Sequence, residues 1–151
     1  MRTQIGVISD THGLLRPEAI AALQSSDLIF HAGDIGKPEI LDALRQIAPV
    51  MAVRGNHDVG AWAETIAERE TVTIDAVSVH LIHIVQQLDL QPNQAQVVIS
   101  GHSHKPSIEH RDGILFLNPG SAGRRRFKLP VSVAQLEIQG TVAEAKIIEL
   151  L

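Results

Sequence analysis

Four short polar clusters hold the residues of this chain best suited to chemistry: Ser9-Asp10-Thr11-His12-Gly13, Gly33-Asp34, Arg54-Gly55-Asn56-His57-Asp58 and Gly101-His102-Ser103-His104. Carboxylate, amide oxygen and imidazole, with no thiolate among them, are donors for a hard or borderline divalent cation such as Mn, Fe, Zn, Ni or Mg. Asp10 and His12 are spaced i, i+2, as are His102 and His104. In an extended segment that spacing turns both side chains to one side. Glycines at 13, 33, 55 and 101 allow the backbone to turn tightly beside the donors. A carboxylate such as Asp34 can bridge two ions, and two ions ~3.5–4 Å apart clamp a phosphoryl group and activate water for in-line attack. Taken singly, each cluster reads better as an ordinary strand end or a packed histidine. Four in order, each just after an apolar strand, read better as one metal site.

The elements that must position these clusters follow from hydrophobic periodicity. Residues 4–9, 27–31 and 49–53 are short apolar strands. Helices are predicted over 17–24 and 38–47, each with proline in its first turn, where the missing N–H does no harm. In the second helix Ile40, Leu41, Leu44 and Ile47 recur at helical spacing. Strand, helix, strand, helix, strand implies parallel strands joined by right-handed crossovers. Their carboxyl ends would then deliver three clusters to one edge of a sheet, where ligands bind in open α/β folds. Beyond residue 70 the pattern changes to strands at 71–74, 77–82, 97–100, 114–117, 131–138 and 142–150, with turns at Asp112-Gly113 and Gln139-Gly140. Residues 86–96 lack strand character and fit a short helix plus loop. The strand count predicts a mixed α/β system with two packed sheets and helices outside.

Bulk properties narrow the function. A chain of 151 residues without repeats or linkers is read as one domain, 1–151, large enough to bury a core without staples. Zero cysteines exclude disulfides, thiolate zinc sites and a catalytic thiol. A net charge of −4 disfavours a surface that coats nucleic acid. Three Phe, one Trp and no Tyr offer little for base stacking. No apolar run reaches membrane-spanning length and no signal peptide is evident, so a cytoplasmic protein without membrane contact is expected.

The ordered set Asp10-Thr11-His12, Gly33-Asp34, Gly55-Asn56-His57-Asp58, His83 and Gly101-His102-Ser103-His104 resembles that of the calcineurin-like metallophosphoesterases. Asn118-Pro119-Gly120-Ser121 is similar to a turn of their small bacterial and archaeal phosphodiesterases. The resemblance implies a four-layer α-β-β-α sandwich of two mixed sheets flanked by helices. It implies that Asp10, His12, Asp34 and His104 hold one divalent ion, foremost Mn²⁺, and that Asp34, Asn56, His83 and His102 hold a second. A metal-bound hydroxide would attack phosphorus, His57 would protonate the leaving oxygen, and Asp58 would orient His57. It also implies a small phosphodiester substrate and a homo-oligomer, dimer or tetramer. Where the family's pattern has glycine after the isolated histidine, this chain has Ile84 and Val85.

Several features admit two readings. His80 rivals His83 as the isolated ligand, but the two face opposite sides of a regular strand, and His83 at its end is preferred. His31 is read as a packed core residue rather than a partner of a ligand, and His110 as a surface residue. The run Arg124-Arg125-Arg126-Phe127-Lys128 is read as a solvated loop rather than a phosphate contact. Arg54 either pairs with Asp58 or faces the site, and Trp62 either covers the site or fills core. The alternatives to a diesterase are a phosphomonoesterase and a scaffold protein that keeps the fold. Seven convergent polar ligands have no purpose in a scaffold, because unpaired they cost desolvation.

Overall fold

The computed structural model describes residues 2–89 and 95–151. Its first half alternates as the periodicity requires: β1 (Thr3–Ile8), α1 (Pro17–Ala22), β2 (Leu28–His31), α2 (Pro38–Arg45) and β3 (Val50–Ala52). A four-residue helix, α3 (Ala61–Glu64), follows the third cluster. Then come β4 (Arg69–Ile74), β5 (Val77–Ile82), a 3-10 turn at Val85–Gln87, β6 (Val97–Ile99), β7 (Ser107–Arg111), β8 (Ile114–Asn118), β9 (Ser132–Gln139) and β10 (Val142–Glu149). Part of the expected helix and loop at 86–96 lies outside the described residues.

The strands form two five-stranded mixed sheets, ordered β10-β9-β1-β2-β3 and β4-β5-β6-β8-β7. β1, β2 and β3 are parallel, as are β5, β6 and β8. The main core lies between the sheets, where Ile5, Val7 and Phe30 of one meet Val79, Leu81, Ile99 and Leu117 of the other. The period-2 alternation of β1 turns Ile8 to the opposite face, where it packs with Leu23 and with Ile40, Leu41 and Leu44 of α2. The outer face of the second sheet carries a smaller cluster, with Ile82 and Val98 against Val85 and Leu88. Among the described residues the fourth layer is therefore a single 3-10 turn, much thinner than the three helices over the first sheet. Among the described residues no helix is long and apolar enough to cross a membrane.

Two elements escape the sequence pattern. β7 reads Ser-Ile-Glu-His-Arg, with one apolar residue, because it is an edge strand whose side chains are mostly exposed. α3 spans one turn, too short for periodicity to register. The topology gathers the carboxyl ends of β1, β2, β3, β5 and β6 at one edge of the sandwich, and every polar cluster follows one of them.

A candidate metal centre

The loops after these strands are stitched to one another before any ligand is considered. Asp10 N–H donates to Gly33 O at 2.9 Å, and His12 N–H to Asp34 O at 2.9 Å. Gly101 N–H donates to the His83 carbonyl at 3.0 Å. Across the two sheets, His102 N–H donates to Asp10 Oδ2 at 3.1 Å. Gly55 and Gly101 permit this crowding. A Cβ on Gly55 would overlap Asp34, and one on Gly101 would lie 2.6 Å from Asp10 Oδ2.

Asp10 and Asp34 each spend one carboxylate oxygen on the protein and present the other inward. Asp10 Oδ2 accepts from the Ser9 hydroxyl at 2.8 Å and from the His102 amide, while Asp10 Oδ1 is buried with no partner. Asp34 Oδ1 accepts from the His57 amide at 2.9 Å, leaving Oδ2 3.1 Å from His83 Nε2 and 3.6 Å from His12 Nε2. His83 Nδ1 lies 2.7 Å from Ala32 O, a pure acceptor, so Nδ1 carries the proton of the neutral ring. Its Nε2 is then a bare lone pair, buried without a hydrogen-bond partner and directed at the free oxygens of Asp34 and Asp10. Lone pairs facing lone pairs in a dry space repel unless a proton or a metal cation lies among them. The donor atoms sort into two adjoining groups, Asp10–His12–His104 and Asp34–His83–His102, each within 4.8 Å internally. Asn56 Oδ1 stands 3.2 Å from His102 Nδ1, at the second group. All seven residues expected to ligate thus share one site, and these donors fit divalent cations. His80 does not join them. It is buried on β5 with Nδ1 2.7 Å from Thr71 Oγ1.

The local backbone departs from expectation. Asp10, His12, Asp34, His102 and His104 all adopt positive φ, at 54°, 46°, 54°, 73° and 63°. The i, i+2 pairs therefore do not converge through extended geometry. Both members of each pair sit in the left-handed region, which Asp and His tolerate better than most residues but at a cost of ~1–3 kcal/mol each. Such strain persists because fully buried aliphatics such as Ile8, Ile29 and Ile99 each contribute ~1.5–3 kcal/mol beneath it. Ile84, by contrast, has φ −111° and ψ 107°, so the glycine missing after His83 is not required.

A family model for the calcineurin-like phosphoesterase superfamily domain matches residues 3–141. The chain belongs to this superfamily. It is 40% identical over 158 residues to a probable metallophosphoesterase of Methanothermobacter thermautotrophicus, covering 95% of this chain and 91% of the relative. It is 27% identical over 138 residues to a phosphodiesterase of Methanocaldococcus jannaschii, covering 78% and 82%. The fold is also that of Vps29 from Entamoeba histolytica in complex with zinc, with a TM-score of 0.75, 20% identity and coverage of 98% and 99%.

Within this calcineurin-like frame, Asp58 does something other than what the motif suggested. Its buried carboxylate accepts from the backbone N–H groups of Ile35 (3.1 Å), Gly36 (2.9 Å) and Gly55 (2.9 Å). Those bonds occupy both oxygens and clamp the Asp34 loop to the Asn56 loop; none of them goes to His57. Asp58→Asn aims an amide N–H at backbone donors, and we expect it to cost about 3 kcal/mol, read as a lower denaturant midpoint.

His31 is buried, as expected, yet it also braces the site. Its Nδ1 accepts from Gly33 N–H at 3.1 Å, so Nε2 carries the proton toward Thr11 Oγ1 at 3.0 Å, and the Thr11 hydroxyl donates to Ile35 O at 2.8 Å. Asn118 and Ser121 gain roles the sequence did not disclose. Asn118 Nδ2 donates to Gly101 O, and the Ser121 hydroxyl to Asp10 O, both at 3.0 Å. Their signal in the sequence was the Asn118-Pro119-Gly120-Ser121 turn, which did not disclose the partner of either side chain. Arg54 pairs with Glu68 at 2.9 Å, not with Asp58. Trp62 packs in the cluster under the helices, so it fills core. Arg124, Arg126 and Lys128 are exposed in their loop, Arg125 reaches Leu151 O at 3.1 Å, and His110 is exposed on β7.

The titrations of the metal-free protein have separable signs. Burial pushes His31 down to about 4, outweighing the pull of Asp10 and Asp58. Burial would also lower His83, but Asp34 and Asp10 hold it above the ordinary histidine value. Burial raises Asp34, yet the His83 ring and the His57 amide bring it down to about 2. A histidine with a depressed folded pKa leaves stability intact above 6.5 and costs stability as pH falls from there to about 4. The His83 contribution runs oppositely, present below 6.5 and lost as pH rises through its folded value. That of Asp34 is lost only as pH falls below 3.8. Denaturant titration in chelator should therefore show stability dropping between pH 6.5 and 4, with His31 accounting for about 3 kcal/mol. A level profile over that interval contradicts the assignment.

Proposed function

We propose that this chain is a phosphodiesterase that works with two divalent cations. Asp10, His12, Asp34 and His104 hold one, and Asp34, Asn56, His83 and His102 hold the other. The observation that carries this reading is the inward set of donors: Asp10 Oδ1 and His83 Nε2 are buried and lack hydrogen-bond partners, and Asp34 Oδ2 lies 3.1 Å from His83 Nε2. When bound, such ions lower the pKa of water and neutralise phosphoryl charge. Nitrogen and oxygen donors suit Mn²⁺, with Fe, Zn, Ni or Mg of the same compatibility.

The chain's own residues supply the rest. The Ser9 hydroxyl and the amides of His57 and His102 hold the two carboxylates so that their free oxygens stay inward. The exposed His57 ring, 5.6 Å from the His12 ring, borders the opening, where its N–H can donate to the departing ester oxygen. Asp58 and His31 act through the loops they clamp. A diester carries less charge than a monoester dianion and asks less of an acidic chain, which favours diesters. The relative named a phosphodiesterase supports the same choice.

The test is hydrolysis of bis(p-nitrophenyl) phosphate and p-nitrophenyl phosphate with Mn²⁺, before and after chelation. Faster cleavage of the diester, abolished by chelator and restored by Mn²⁺, is expected. Preference for the monoester refutes the substrate class, and undiminished turnover in chelator refutes the metal dependence.

A further inference from the structure

A cavity of about 240 Å³ opens beside the second donor group, bordered by Arg54, Asn56, Glu68, Arg69, His83 and Gln87. Asn56 and His83 place it at the rim of the metal centre. Its chemistry is not that of a cation site alone, because two arginines line it. Arg54 is engaged by Glu68, Nη2 to Oε1 at 2.9 Å, and that pair is open to water, hence weak. Arg69, exposed at the start of β4, forms no ion pair among the described residues. The lining therefore carries one uncompensated positive charge, with amide groups from Asn56 and Gln87 beside it. Among the described residues its one carboxylate, Glu68, is already paired with Arg54. The volume is below the ~300–1,000 Å³ of clefts that enclose whole small ligands, so it suits one arm of a substrate.

We infer that this cavity is a subsite for a second phosphate group, carried by the substrate on one alcohol arm beyond the ester that is cleaved. The inference rests on the diesterase reading and names its substrate class, a phosphodiester bearing an additional phosphomonoester. The planar guanidinium of Arg69 pairs two phosphate oxygens, and Arg54 shares its remaining N–H groups as Glu68 yields to the incoming dianion.

The test compares thymidine 5′-(p-nitrophenyl phosphate) with the same ester carrying a 3′-phosphate. The 3′-phosphorylated ester should show a KM lower by about ten-fold, the scale of one charge-assisted contact. Arg69→Gln should erase that advantage, and Glu68→Gln, which frees Arg54, should enlarge it by about two- to three-fold. Both variants should cleave bis(p-nitrophenyl) phosphate as the parent does. Opposite signs from two exposed neighbours cannot arise from damaged folding. Calorimetry with thymidine 3′,5′-bisphosphate against thymidine 5′-monophosphate should reproduce the ratio without turnover. Equal affinities for the two nucleotides, or a ratio indifferent to both substitutions, overturns the subsite. If no ester is cleaved at all, the diesterase reading falls, and the calorimetric ratio alone decides whether the cavity binds the phosphate.

Discussion

Asp34→Asn should lower diester turnover by about a thousand-fold and reduce bound Mn²⁺ from two ions per chain to one or fewer. The substitution is nearly isosteric, and the Asn oxygen can still accept from the His57 amide that Asp34 Oδ1 now holds at 2.9 Å. What changes is the inward atom. Asp34 Oδ2 lies near both His83 and His12, at 3.1 and 3.6 Å, so it stands between the two donor groups. In the proposed two-cation site, an amide N–H there would present positive charge where the cations share negative charge. Cation stabilisation of phosphoryl transfer amounts to several kcal/mol, and each 1.36 kcal/mol is a factor of ten. Turnover measured with metal analysis of the same sample decides the matter. Two bound ions and parental activity in this variant would remove Asp34 from the bridging position.

His57→Ala is the second large effect, with the opposite signature in the metal analysis. Turnover should fall by about a hundred- to ten-thousand-fold, the range for one proton-transferring side chain, while two ions stay bound. The separation is physical. His57 holds Asp34 through its backbone N–H, which alanine keeps, and its exposed ring belongs to neither donor group. The deficit should shrink with a better leaving group, because an ester oxygen that departs as a stable anion needs no proton. Loss of metal from the variant would show that the ring ligates instead of donating.

How much of this could be read in advance varied with the kind of residue. The three parallel strands were legible because buried strands are continuous apolar runs, and α2 because four aliphatics recur at its period. The edge strand β7 was not, since an exposed strand needs little apolar surface. The donors were legible as a set, because four polar clusters each interrupting the end of an apolar run have no packing rationale. The partner of Asp58 was illegible. Its neighbour in sequence is His57, but its hydrogen bonds go to amides of Ile35 and Gly36, more than twenty residues away, and to Gly55. The resemblance implied His57 as its partner; here the carboxylate beside the loop crossing bonds to backbone donors instead.

Residue type and order alone determined that this chain can build a nitrogen- and oxygen-donor site at a strand edge. Those properties are carried by hydrophobic period and by the chemistry of Asp, Asn and His, which no neighbour alters. Which oxygen of each carboxylate points inward, which tautomer His83 takes, why His31 is braced rather than merely packed, and which arginine lacks a partner were decided by the tertiary structure. Each depends on hydrogen bonds between loops brought together only when the two sheets pack. The left-handed backbone at five donors belongs there too, since a core distant in sequence must supply the free energy that holds it.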